Sequence, residues 1–230
     1  VNFLQLVQRG AREADLPGAN AASVTAATGD VALLAGWISD CWVNLQKQPK
    51  DWRWLRDRFT GAALTPTVGA YRGTTLYGAR FSGFLEGEAG VVSITDPIST
   101  GTHFLAWLDY ERFRRAYLVG AQTPGTPVAW SVAPDGQLLV GPAPDRAYTL
   151  DAEVRKTAQR LESDADVPEC PEDHHMILVW KALLDDAAGF DAAPDVATRA
   201  ANKYEEMLRA LEVEQSMARF SVRTEPLDVY

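Results

Sequence analysis

Apolar residues recur every three to four positions at both ends of the chain, and every second position in short runs between them. Near the start, Phe3, Val7, Ala11 and Ala14 form one stripe over about 2–15, and Leu16-Pro17-Gly18 stops it. A loop of small residues follows at 19–29. From Asp30, which reads as an N-cap, to about Gln48, the positions Leu34, Ile38, Cys41 and Leu45 repeat at three and four, flanked by Trp37 and Trp42. Pro49 ends that helix. A third helix is expected from Pro171, because proline suits the first helical turn and Glu172-Asp173 suit the helix dipole. Met176, Trp180, Leu183 and Ala187 make its stripe, widened by Ile177 and Leu184, and Gly189 is its stop. The fourth runs over about 194–216 on Ala197, Ala201, Tyr204, Leu208 and Leu211. Short links between first and second, and third and fourth, favour antiparallel neighbours.

The middle is different. It is rich in Gly, Thr, Pro and aromatics, and alternates over 80–85, 91–95, 102–108, 128–132, 137–140 and 147–154. Two of these runs meet at the turn Pro134-Asp135-Gly136, and the second ends at Pro142-Ala143-Pro144-Asp145. One short helix, 110–119, carries Arg112, Arg114 and Arg115. The expected fold is therefore α+β: antiparallel helical hairpins forming a bundle of about four helices, with an inserted antiparallel β domain. The expected division is 1–51 for the first hairpin, 52–155 for the β-rich insertion, 156–216 for the second hairpin and 217–230 for an extended tail. In that tail, Ala218-Arg219-Phe220-Ser221-Val222-Arg223 alternates as an exposed strand does, which favours docking on a partner over a frayed end.

Composition narrows the function. With 47% apolar and 23% charged residues in 230, the chain is not mainly disordered. Its 22 basic against 31 acidic residues give a net charge of −9, so it does not hold DNA by neutralising phosphates. It could still line a channel through which DNA slides, because like charge prevents sticking. No apolar run approaches the roughly 20 residues that span a bilayer. The opening VNFLQLVQRGAREADL reads as an amphipathic helix rather than a signal peptide, so a soluble protein made in the cytoplasm is expected. Two cysteines are too few for a disulfide scaffold, and Cys41 is expected as a buried reduced thiol.

The candidate chemistry is thin. Glu172-Asp173-His174-His175 has metal-ligand residue types, but adjacent helical residues point about 100° apart, so both histidines cannot grip one ion. First-turn acids on a helix dipole explain the cluster better. His103 could pair with Ser93 or Ser99, yet no Gly-x-Ser-x-Gly elbow exists. Asp164/Asp166 and Asp185/Asp186 could serve as general acid and base, but read more simply as solvated charges. The glycines of 83–90 lack the lysine and spacing of a phosphate loop. No catalytic residue, metal ligand or cofactor is assigned. In KDWRWLRDRF, an extended run would put Trp52 and Trp54 on one side, where interleaved Arg and Trp stack on single-stranded nucleic acid. In an acidic chain, core packing with aliphatic stems over the rings is the favoured reading.

Several segments in order carry a resemblance. VNFLQLVQRGAREA is followed by TGDVALLAGWISDCWVNLQKQPKDWRWLR, then LAWLDYERFRRAYLVG, PVAWSVAPDGQLLVGPAPDRAYTLDAEV and DADVPECPEDHHMILVWKALLDDAA. This order resembles the head-to-tail adaptor (connector) proteins of tailed bacteriophages, and is similar to the tail tubular protein A or portal adaptor of short-tailed phages. The stretch 71–101 departs from that pattern. The resemblance implies a non-enzymatic virion protein of the neck that forms a ring, typically of twelve copies, beneath the portal. It implies a bridge from portal to tail or next neck protein, and a channel that double-stranded DNA passes without sequence-specific binding. A ring needs heterologous contacts, so two different faces of each subunit must be sticky. Subunit-contact candidates are Arg112, Arg114, Arg115, Trp52 and Trp54. The portal-docking candidates are Arg219, Phe220, Val222, Arg223, Leu227 and Tyr230. A tail terminator or other tail ring protein is the nearest alternative, and a small hydrolase using acidic residues is the alternative of another class.

Overall fold

The computed structural model describes residues 1–88, 90–185 and 194–216. In chain order its main elements are α1 (Phe3–Glu13), α2 (Gly29–Gln46), β1 (Arg56–Ala63), β2 (Ala70–Tyr71), α3 (Gly73–Leu76), β3 (Phe81–Phe84), β4 (Val92–Thr95), β5 (Thr102–Phe104), β6 (Ala106–Trp107), α4 (Tyr110–Tyr117), β7 (Ala129–Val132), β8 (Leu138–Gly141), β9 (Thr149–Lys156), α5 (Met176–Asp185) and α6 (Pro194–Ser216). The class is α+β, with six α-helices and mainly antiparallel sheets among the described residues. The chain divides into two compact units, one of 1–54 with 158–230 and one of 55–157.

In the first unit α1, α2 and α5 pack on one another, and α6 packs on α5. α1 begins with reciprocal caps: the Asn2 side chain accepts from the Gln5 N–H at 2.9 Å, and the Gln5 side chain accepts from the Asn2 N–H at 3.0 Å. Its Phe3, Leu6, Val7 and Ala11 are buried. Gly10 lies on the same face, where an added Cβ would meet Leu34 of α2 at 3.1 Å. The N-cap of α2 is Thr28 rather than Asp30, and Asp30 sits in the first turn, where its charge still suits the dipole. Ahead of α5, Glu172–His174 form a 3₁₀ turn, so the α-helix proper starts at Met176 and not at Pro171. Gly189, the expected stop, lies outside the described residues. Cys41 is a buried thiol.

The second unit holds two sheets. The first has the order β1-β9-β4-β5, with β3 also paired to β9; the second has the order β2-β8-β7-β6. One pair departs from the expected antiparallel arrangement: β6 runs parallel to β7. The cause is local. The run 102–108, read as one strand, breaks at buried Leu105, so β5 pairs with β4 in the first sheet and β6 with β7 in the second. β1 was hidden by its charges, since Arg56, Asp57 and Arg58 mask an edge strand that buries only Phe59. Its register on β9 runs from Arg56 opposite Arg155 to Ala63 opposite Thr149, with an irregularity between Phe59 and Ala62. Gly61, at φ +83°, takes the left-handed backbone there. Trp130, Leu138, Tyr148, Leu150 and Ile94 are fully buried between the strands.

Candidate functional site

The arginine helix α4 is mounted on the second sheet. The Asp109 side chain caps it by accepting from the Arg112 N–H at 3.0 Å. Phe113 is buried and Tyr117 half-buried, their rings 5.0 Å apart, and they rest on Ala129 of β7 and Leu139 of β8. Glycine at 141 makes this seat possible, because a Cβ there would stand 2.6 Å from the Tyr117 ring and 2.9 Å from Phe113. The seat turns Arg112, Arg114 and Arg115 outward, all exposed. Arg112 pairs with Asp109 at 3.2 Å and Arg114 with Glu111 at 3.8 Å, while Arg115 Nε donates to the Glu111 carbonyl at 3.3 Å. Leu118 and Val119, 49% and 59% exposed, extend the same surface. Sequence reading passed over these two, although they lie off the stripe that Phe113 and Tyr117 define.

The acidic segment 162–173 is built differently. Asp166 accepts from the backbone N–H groups of Glu162 (2.7 Å) and Ser163 (2.8 Å) and from the Ser163 hydroxyl. These bonds, the hydroxyl first, hold its carboxyl below the usual carboxylate range. Asp164 accepts from the Val24 N–H at 2.6 Å, and the carbonyls of Asp164 and Asp166 accept from Leu4 and Phe3. This pair therefore shapes a turn and ties it to α1. Glu162 and Asp173 point to solvent, Glu172 pairs with the Val1 ammonium at 2.9 Å, and Val167 is 49% exposed. Asp185 pairs with Lys181 at 2.6 Å; Asp186 lies outside the described residues.

The two histidines diverge. His174 meets Glu214 at 2.8 Å, whereas His175, only 2% exposed, places one ring nitrogen 3.1 Å from the Val1 carbonyl and the other 3.0 Å from the Cys170 carbonyl. Cys170 is free, and burial pushes its thiol up to about 12. Among the described residues, no group of three or more His, Cys, Asp or Glu is placed to hold a metal ion. His103 lies opposite Ile94 and Ser93 opposite Phe104, so alternation sends His103 and Ser93 to opposite faces of the sheet. The Ser99 hydroxyl faces the Gly101 N–H at 3.4 Å instead.

Trp52 and Trp54 belong to a stack. Arg53–Leu55 form a 3₁₀ turn, not an extended run. Trp52 lies 4.7 Å from Trp54, and Trp54 lies 6.0 Å from Trp42 of α2. Trp52 is 1% exposed, its indole N–H donates to the Leu45 carbonyl at 2.8 Å, and the Lys50 ammonium lies 5.7 Å over its ring. Trp52 is thus packed in the core of the first unit. Arg219, Phe220, Val222, Arg223, Leu227 and Tyr230 lie outside the described residues.

Charge divides between the units. Residues 55–157 hold ten basic and ten acidic side chains, so the net −9 belongs to the remainder, with 12 basic and 21 acidic. What stands out is a set of rigidly presented charged surfaces around well-filled cores. The family model of the SU10 adaptor protein matches residues 1–229.

The chain belongs to the SU10 adaptor protein family. This is a family of phage head-to-tail adaptors, which are structural proteins. No curated protein matches the chain. In this adaptor α4 is an arginine helix with an aliphatic end, and 162–173 is a pinned acidic turn. No helix among its described residues is long and apolar enough to cross a membrane.

Proposed function

We propose that this adaptor assembles as a ring, typically of twelve copies, below the capsid portal in the virion neck. There it joins the portal to the tail or next neck protein and continues the DNA channel. The family match over 1–229 carries this reading. The net negative charge supports it, because an acidic lumen lets double-stranded DNA pass without sticking. In this reading the hairpins of 1–51 and 156–216 complete one bundle and 52–155 is the unit inserted into it, as in adaptors similar to tail tubular protein A of short-tailed phages. The C-terminal segment 217–230 docks on the portal through Arg219, Phe220, Val222, Arg223, Leu227 and Tyr230, and Arg112, Arg114 and Arg115 meet an acidic face of the neighbouring copy.

Electron microscopy of the assembled neck, with and without residues 217–230, tests the proposal. A ring under the portal whose occupancy falls at least tenfold on truncation after Ser216 is the expected result. Unchanged occupancy would remove the docking role of the tail. A ring at the far end of the tail would make the protein a tail terminator, and no ring in either place would overturn the reading.

A further inference from the structure

We infer that α4 of one copy docks on the acidic segment 162–173 of the next copy, so that these two surfaces form the heterologous contact of the assembly. The inference rests on the ring reading above and names the two faces it needs. Three observations meet here. First, charge is unequally shared: the unit that carries α4 is neutral and the unit that carries the acidic segment holds the whole −9. Two acidic units side by side repel, and a basic helix presented by the neutral unit relieves that repulsion. Second, both surfaces are rigid before they meet. α4 is locked by Phe113 and Tyr117 on the sheet, and the acidic turn by the Asp166 carboxylate and by backbone bonds to Phe3 and Leu4. Rigid faces lose little freedom on docking. Third, each segment carries charge and exposed aliphatic surface: Leu118 and Val119 follow the arginines, and exposed Val167 lies in the segment that exposes Glu162 and Asp173. Arginine beside apolar side chains is the composition of protein interfaces.

Passing DNA is the other polyanion that α4 could meet, and the helix is poorly made for it. Asp109 and Glu111 lie one helical turn before Arg112 and Arg114 and pair with them, so a uniformly anionic phosphate backbone would meet both signs of charge. A phosphate backbone gains nothing from Leu118 and Val119, whereas an acidic protein face with Val167 gains from both.

The experiment is a charge exchange between full-length chains, read by mass photometry and sedimentation at low and high salt. One variant carries Arg112→Glu, Arg114→Glu and Arg115→Glu; the other carries Glu162→Lys and Asp173→Lys. Each alone is expected to associate at least tenfold more weakly than the native chain. Their equimolar mixture is expected to regain assembly to within about threefold, because each basic face then finds an acidic one on the other variant. Circular dichroism confirms that both are folded. Should a variant unfold, Leu118→Ser/Val119→Ser takes its place, with a threefold or larger loss of association expected. Native-like assembly by either charge variant alone, or no regain on mixing, overturns the inference. So does a native chain that stays monomeric, while portal binding judges the ring reading separately. Loss of binding to a double-stranded DNA fragment by the arginine variant, with assembly intact, assigns α4 to DNA instead.

Discussion

At the scale of single residues, a few polar side chains hold turns that apolar burial does not hold. Asp166 takes three donors into one carboxylate, and its folded pKa lies below its unfolded value. Its stabilisation is therefore present above about pH 4, the unfolded range, and is lost as pH falls through the folded value. Asp166→Ala is expected to cost about 1 kcal/mol at pH 7, and the gap from the native chain should close in denaturant melts below about pH 4. His175 stands between two backbone carbonyls and 2% exposed. The ring donates to at least one of them, so replacing it by alanine strands that acceptor and empties a buried place, and a loss of about 2 kcal/mol is expected in urea unfolding. The divergence of His174 and His175 was legible, because neighbours on a helical turn cannot face the same point. The role of Asp166 was not, since its partners lie in a loop whose backbone no periodic pattern encodes.

Among the elements, the helices were the most readable. The stripe from Ala197 to Leu211 located α6 at Pro194–Ser216, because a 3.6-residue period sustained over several turns has no other explanation. Strands of two residues such as β2 and β6 carry no period at all, so the split of 102–108 between two sheets and the parallel β6–β7 pair escaped detection. Charge hid β1 in the same way. The arginines of α4 were found as a cluster, but the aliphatic pair beyond them and the glycine beneath were missed, since a glycine's reason lies in what packs over it. Gly141→Ala tests that reason. The added methyl must displace the Tyr117 and Phe113 rings, and amide hydrogen exchange in 113–117 is expected to rise at least tenfold. Phe113→Ala removes the anchor itself and is expected to cost about 3 kcal/mol.

For the molecule as a whole, β9 governs closure of the second unit. It pairs with β1, β3 and β4, so residues made early wait for the last strand of their unit before the first sheet exists. Contacts that span so much chain fold late. The same strand has a further effect, set by the register that places Arg56 opposite Arg155. The polypeptide leaves the helical frame and returns to it along neighbouring antiparallel strands, about 5 Å apart. Replacing 57–154 by a short Gly-Ser bridge should then leave the frame folded, with its helical circular dichroism and the near-ultraviolet signal of the Trp42, Trp52 and Trp54 stack retained. Seen as genetic material, 55–157 is a cassette whose two ends lie side by side. A recombination event could exchange it whole and alter which partners an adaptor recognises, without rewriting the frame that carries it.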